Sequence, residues 1–224
     1  MKKIFSSNWS KAILALIVIL VIFGIGSCIF TKWYIGQLPV NPSTPDYPEM
    51  TLEELAERSE YIVYGKVQKV KDRDLPAVLR DLLGTGDGEE PSIPVTPVEI
   101  QVEQMLKGER ESNRIIYYQD GGIRDGSMIL PSGFPLEKGD QIIVFLDENG
   151  EGYGYRSEFP VDEGLVYGFE KDDLALFSSA QVLSAGESET SVIRNFISLK
   201  EISPSSELYT ADLDEFLEYL SLHI

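Results

Sequence analysis

The longest apolar run comes first. From Ala12 to Phe30 the chain reads AILALIVILVIFGIGSCIF, with no charged residue. At about 1.5 Å of rise per residue, such a run as a helix comes close to the roughly 30 Å of bilayer hydrocarbon. Lys2, Lys3 and Lys11 precede it, and Trp33 and Tyr34 follow it. Positive charge stays on the cytoplasmic side and aromatic rings settle at the interface. The pattern predicts a cytoplasmic segment 1–11, a single transmembrane anchor over 12–35, and everything beyond it outside the cytoplasm at the cell membrane. A second reading competes for Cys28. Ile25-Gly26-Ser27-Cys28 has the form of a lipobox, in which Cys28 would be lipidated and the preceding segment removed as a signal. The run is longer than the 7–15 residues of a usual signal core and continues apolar past Cys28, which favours the uncleaved helix.

After the apolar run the pattern changes twice. Pro39, Pro42, Pro45 and Pro48 fall within residues 36–50, a spacing that predicts an extended, semi-rigid linker. A folded domain is expected over 51–224. Thr51 and Glu54 have capping-box spacing, with Met50 placed to pack on Leu55, so a helix should bury Leu52, Leu55 and Ala56. Tyr61–Val70 is strand-like, with Val63, Gly65 and Val67 on one face and Ile62 and Tyr64 on the other; Gly65 predicts a bulge. Residues 71–94 are charged and rich in Gly and Pro, a long excursion with the character of a functional loop. The alternation of Val98, Ile100 and Val102 with Glu99, Gln101 and Glu103 predicts a half-buried strand. Further short strands are expected at Ile115–Tyr118, Gln141–Leu146, Gly152–Ser157, Leu165–Phe169 and Leu174–Phe177. Residues 191–200 lean helical. Thr210 is the expected cap of a last helix whose Leu213, Phe216, Leu217 and Leu220 share one face.

Strands in succession with short turns define a mainly β domain with flanking helices, and such a sheet curls to protect its edges. The expected architecture is a small antiparallel OB-like or netrin-like barrel behind one N-terminal transmembrane helix. SEYIVYGKVQKV (59–70), VEIQVEQMLKG (98–108) and GDQIIVFLDENG (139–150) together resemble a family of uncharacterised bacterial membrane-tethered surface proteins. Those carry a barrel similar to the OB fold and to the netrin or tissue-inhibitor-of-metalloproteinase module. The resemblance spans about 51–180 and implies fold alone. The animal inhibitors act through an N-terminal cysteine and disulfides, which this sequence lacks, so no inhibitory or metal-chelating residue carries over.

Charge narrows the functions. The chain of 224 residues carries a net charge of −18, and all the charges of residues 1–35 are basic. Residues 36–224 therefore hold 15 basic and 37 acidic side chains. So acidic a domain repels phosphate backbones, which argues against nucleic-acid partners. One Cys precludes a disulfide framework, and the single His, His223, argues against His-based triads and multi-His metal sites.

The candidate chemistry is correspondingly sparse. Asp147, Asn149, Glu151 and Glu158 fall at positions 1, 3, 5 and 12 of a loop with Gly152 at 6, the oxygen spacing of an EF-hand calcium loop. The flanks are strand-like rather than helical, so the competing reading is a hairpin with a type I′ turn at Asn149-Gly150. Asp120, Arg124 and Asp125 could form a polar site at a barrel mouth, or Gly121 and Gly122 could simply make a turn. Tyr153 and Tyr155 on one strand face, near Tyr117 and Tyr118, could stack on a sugar or peptide, or pack across strands. Ser132 lacks a nucleophile elbow and reads as a turn. No spacing singles out a catalytic carboxylate pair. The sequence thus points to a membrane-tethered binding or assembly module, without a catalytic residue or cofactor, facing protein or peptide partners. A carboxylate-dependent hydrolase of envelope substrates and a calcium-responsive surface protein are the alternatives.

Overall fold

The computed structural model describes residues 7–42, 47, 50–71, 94–109, 112–184 and 207–224. The expectations for the 71–94 excursion and for 191–200 lie almost wholly outside these residues. Helix α1 (Ser7–Ile35) contains the apolar stretch Ala12–Ile35, long and apolar enough to cross a membrane. Its large side chains, from Ile13 to Trp33, are left uncovered by the rest of the protein. Cys28 is exposed on this helix.

Among the described residues the remainder is mainly β, in two sheets. The larger has eight strands, and every pairing within it is antiparallel. Its members are β2 (Tyr61–Val70), β3 (Val95–Lys107), β4 (Arg114–Asp120), β7 (Gln141–Leu146), β8 (Glu158–Asp162), β9 (Leu165–Tyr167), β10 (Gln181–Ser184) and β11 (Glu207–Asp212). Their spatial order is β10-β11-β9-β8-β7-β2-β3-β4. The smaller sheet joins β1 (Val40–Pro42), β6 (Ser127–Leu130) and β5 (Gly122–Arg124), with β1 parallel to β6. The expected barrel is not closed: β10 and β4 end the large sheet without pairing to each other. Closure is replaced by filling, because Phe134 and Leu136, from the segment after β6, pack onto the face of β2, β3 and β4.

Period-two alternation sorts the core into two layers. On β7, Ile143 and Phe145 face one layer while Ile142, Val144 and Leu146 face the other, so this strand is buried on both sides. The first layer is covered by α2 (Leu52–Arg58) and α3 (Leu213–His223). There Phe145, Phe159, Phe169, Phe177, Phe216 and Tyr219 form a contiguous aromatic group with ring centroids 5.1–5.7 Å apart. Such spacing favours tilted and edge-on contacts. α2 carries the expected capping box of Thr51 and Glu54 and buries Leu52, Leu55 and Ala56. At Gly65 the register of β2 against β3 shifts, and a side chain there would collide with the Gln101 carbonyl.

Several expectations fail for local reasons. Gly154–Ser157 is a 3-10 turn rather than strand, because Ser157 Oγ ties Tyr153 N and the Gly154 carbonyl into a tight loop. Lys171–Leu176 is likewise a 3-10 turn, held by reciprocal bonds between Glu170 and Asp173. Thr210 does not cap α3. It lies within β11, and Asp212 accepts from Asp214 N and Glu215 N at the helix start. The linker is not purely extended spacer either, since Val40–Pro42 pairs with Met128–Leu130.

Candidate functional site

The polar centre of the domain begins at β8. Its first residue, Glu158, is fully buried. The carboxylate is surrounded by donors. Oε1 accepts from the Tyr117 hydroxyl, and from Gln119 Nε2 at 2.8 Å. Oε2 accepts from Phe134 N at 2.9 Å. Tyr117 and Gln119 sit two apart on β4, so alternation turns both inward. Burial pushes Glu158 up to about 7, against the opposing pull of the Tyr117, Gln119 and Phe134 bonds, with Asp120 adding to the rise. Burial likewise holds Tyr117 well above its ordinary value, with Glu158 beside it. Tyr47, half-buried, is raised to about 12 by burial and by the charges of Asp120, Glu158 and Glu151.

Segment 132–134 joins this network to a surface cleft. Asp120 accepts from Ser132 N at 2.9 Å and Ser132 Oγ at 3.1 Å. Gly133 follows, packed so closely on Glu158 Oε2 that a β-carbon would collide with it. Phe134 then plugs the core. The outer side of the same three residues lines a cleft of about 220 Å³. Tyr155, Tyr167, Phe169 and Tyr209 contribute its other rings, and Glu170 and Glu207 its carboxylates. Tyr209 donates its hydroxyl to Glu207 Oε2 at 2.7 Å. Beneath Glu170 lies buried Arg156, which bonds Asp173 at 3.0 and 3.4 Å and the Met50 carbonyl at 3.1 and 3.3 Å.

The residues singled out in the 147–158 loop are not assembled around a common point. Asp147 Oδ1 accepts from Asn149 N and Glu151 N, turning its carboxylate into its own loop. Glu151 pairs as a bridge with Tyr118, while Glu158 points into the network above. Among the described residues no three of His, Cys, Asp and Glu gather as a metal site. The turn is not type I′ either, because Gly150 has positive φ and Asn149 does not. Arg124 and Asp125 meet each other at 3.7 Å, while Asp120 accepts from Ser132. Of the tyrosines, Tyr155 reaches the cleft, whereas Tyr153 donates to the Arg58 carbonyl and Tyr117 is buried. Gln119, Gly133, Glu170 and Glu207 carried no recognisable spacing in the sequence. Only the pairing of four distant segments brings them together.

No protein family, curated protein or solved structure matches the chain.

Proposed function

We propose that this protein is a membrane-anchored binding module, displayed outside the cytoplasm, whose ligand site is the cleft walled by Ser132, Gly133 and Phe134. The observation that carries the reading is the cleft itself: an aromatic-walled depression with few polar groups, backed by a hydrogen-bonded network that fixes its wall. Such concave, largely apolar surfaces with a few placed polar groups are the usual form of ligand sites. A pre-organised wall lowers the ordering cost of binding. The uncovered apolar side chains of α1 and the three lysines before them support the anchor and its orientation. An OB-like or netrin-like ancestry, with the barrel opened by the plug of Phe134 and Leu136, belongs to the same proposal.

One observation favours a second reading. Asp120 and Glu158 are neighbouring buried acids, and one of them titrates near neutrality, as a general acid does. Glu158 has no exposed surface, however, and Gly133 stands between it and the cleft. That geometry supports support rather than catalysis.

The test has two arms on the full-length protein. In Cys28→Ser cells, a cysteine introduced as Asp172→Cys should react with a membrane-impermeant maleimide without lysis. A panel of small peptides and fragments should give ligands by NMR whose binding is lost in Tyr155→Ala with melting unchanged. Labelling only after lysis overturns the orientation; hits insensitive to Tyr155→Ala overturn the site.

A further inference from the structure

The cleft's chemistry is one-sided. Five aromatic rings line it, those of Phe134, Tyr155, Tyr167, Phe169 and Tyr209, and its two ionisable acids are Glu170 and Glu207. Among the described residues, no lysine or arginine lines it. Arg156, the nearest buried cation, is engaged by Asp173 at 3.0 Å and stands 3.9 Å from Glu170. Among the described residues, Asp173 already matches its charge, so the two carboxylates of the cleft outnumber the cations beside them. Anionic ligands are disfavoured on that ground. Small inorganic cations fit poorly too, since a hard divalent ion needs six or more oxygens, most of them charged or carbonyl, and among the described lining residues only Glu170 and Glu207 carry carboxylates.

We infer that the cleft receives an organic alkylammonium group, a deeper form of the binding reading on which it rests. Ring faces attract a desolvated ammonium through their quadrupoles, and carboxylates at the rim add Coulomb attraction. A cavity of about 220 Å³ is smaller than the roughly 300–1,000 Å³ typical of sites for drug-sized ligands, so it suits one head group rather than a whole organic molecule. Tyr209 holds the exposed Glu207 carboxylate by its hydroxyl, and both residues line the cleft. The strongly acidic domain around it draws cations toward the same site. The group could arrive as a lysine side chain of a polypeptide or on a small free amine, and the two sources share this chemistry.

The experiment uses the full-length protein in a maltoside detergent, which contains no ammonium. Choline, its neutral isostere 3,3-dimethylbutan-1-ol and a capped Gly-Lys-Gly peptide are titrated separately by NMR. Choline or the peptide should bind at least about ten-fold more tightly than the neutral isostere, and tenfold salt should weaken binding. Glu207→Gln should weaken binding several-fold with melting unchanged, and Tyr155→Leu should do so without altering charge. Binding of choline alone identifies a free amine, and binding of the peptide alone a polypeptide source; either supports the inference. Equal binding of the isostere and choline, lost in Tyr155→Leu, overturns the ammonium assignment and leaves the cleft a binding site. Silence of both cations in folded protein overturns it as well, while the peptide and fragment panel decides the broader reading separately.

Discussion

Glu158 Oε2 lies directly behind Gly133, in contact so close that residue 133 has no room for a side chain. The backbone of the cleft wall and a buried carboxylate therefore share one packing surface, and what changes the acid is felt at the wall. Gly133→Ala should destabilise the fold by about 1–3 kcal/mol, the usual cost of forcing atoms into a packed interior. In a Glu158→Ala background the same change should cost less, because the obstructing carboxylate is gone. Chemical denaturation of the four proteins in the cycle measures this, and strictly additive losses would sink the claimed contact.

The pH dependence has a definite sign. Glu158 titrates near 7 in the folded protein against an ordinary value of 4.5. Below about pH 4.5 the group is protonated in both states and its contribution is fully present. Between 4.5 and 7 the unfolded chain releases its proton first, so stability falls as pH rises, by on the order of 3 kcal/mol. Glu158→Gln should be less stable at pH 5, where Phe134 N loses an acceptor. The gap to the parent should narrow toward pH 8. Parallel melting curves across this range would contradict it.

Arg156 binds two distant parts of the chain through Asp173 and the Met50 carbonyl. Arg156→Met should cost about 3–5 kcal/mol by leaving the Asp173 carboxylate buried and unpaired. Adding Asp173→Asn should recover part of that loss. Thermal unfolding of the single and double variants decides it, and equal losses in both would mean that the ion pair is not the cause.

Two residues near the end of β11, just before α3, should move stability in opposite directions. Thr210 Oγ1 is buried with no hydrogen-bond partner among the described residues, so Thr210→Val should stabilise by about 1 kcal/mol. Asp212 accepts from two amides of the first turn, so Asp212→Ala should cost about 1 kcal/mol. Denaturant midpoints of the two variants separate these roles. A loss in Thr210→Val would mean that its hydroxyl is hydrogen-bonded in the folded protein.

What the sequence made legible was local. The capping box at Thr51, the faces of Tyr61–Val70, the bulge at Gly65 and the stripe on α3 depend on neighbours a few residues away. Where a short-range hydrogen bond outcompeted the apolar pattern, the reading went astray, as at Gly154–Ser157 and Lys171–Leu176. The cleft was hidden for a different reason. Glu158 was marked only as the twelfth position of a loop, whereas its partners Tyr117, Gln119 and Phe134 lie 24–41 residues away. No periodicity within one element reports a meeting of that range.

The parallel pairing of Val40–Pro42 with β6 sets the length of a leash. Helix α1 ends at Ile35, so five backbone steps separate it from β1. Fully stretched they reach at most about 18 Å. A folded unit of this size has a radius of gyration of about 16 Å. With α1 held in a bilayer, the domain would be unable to tumble freely above its own foothold. It would meet what it binds from a narrow range of directions, within a layer scarcely thicker than itself.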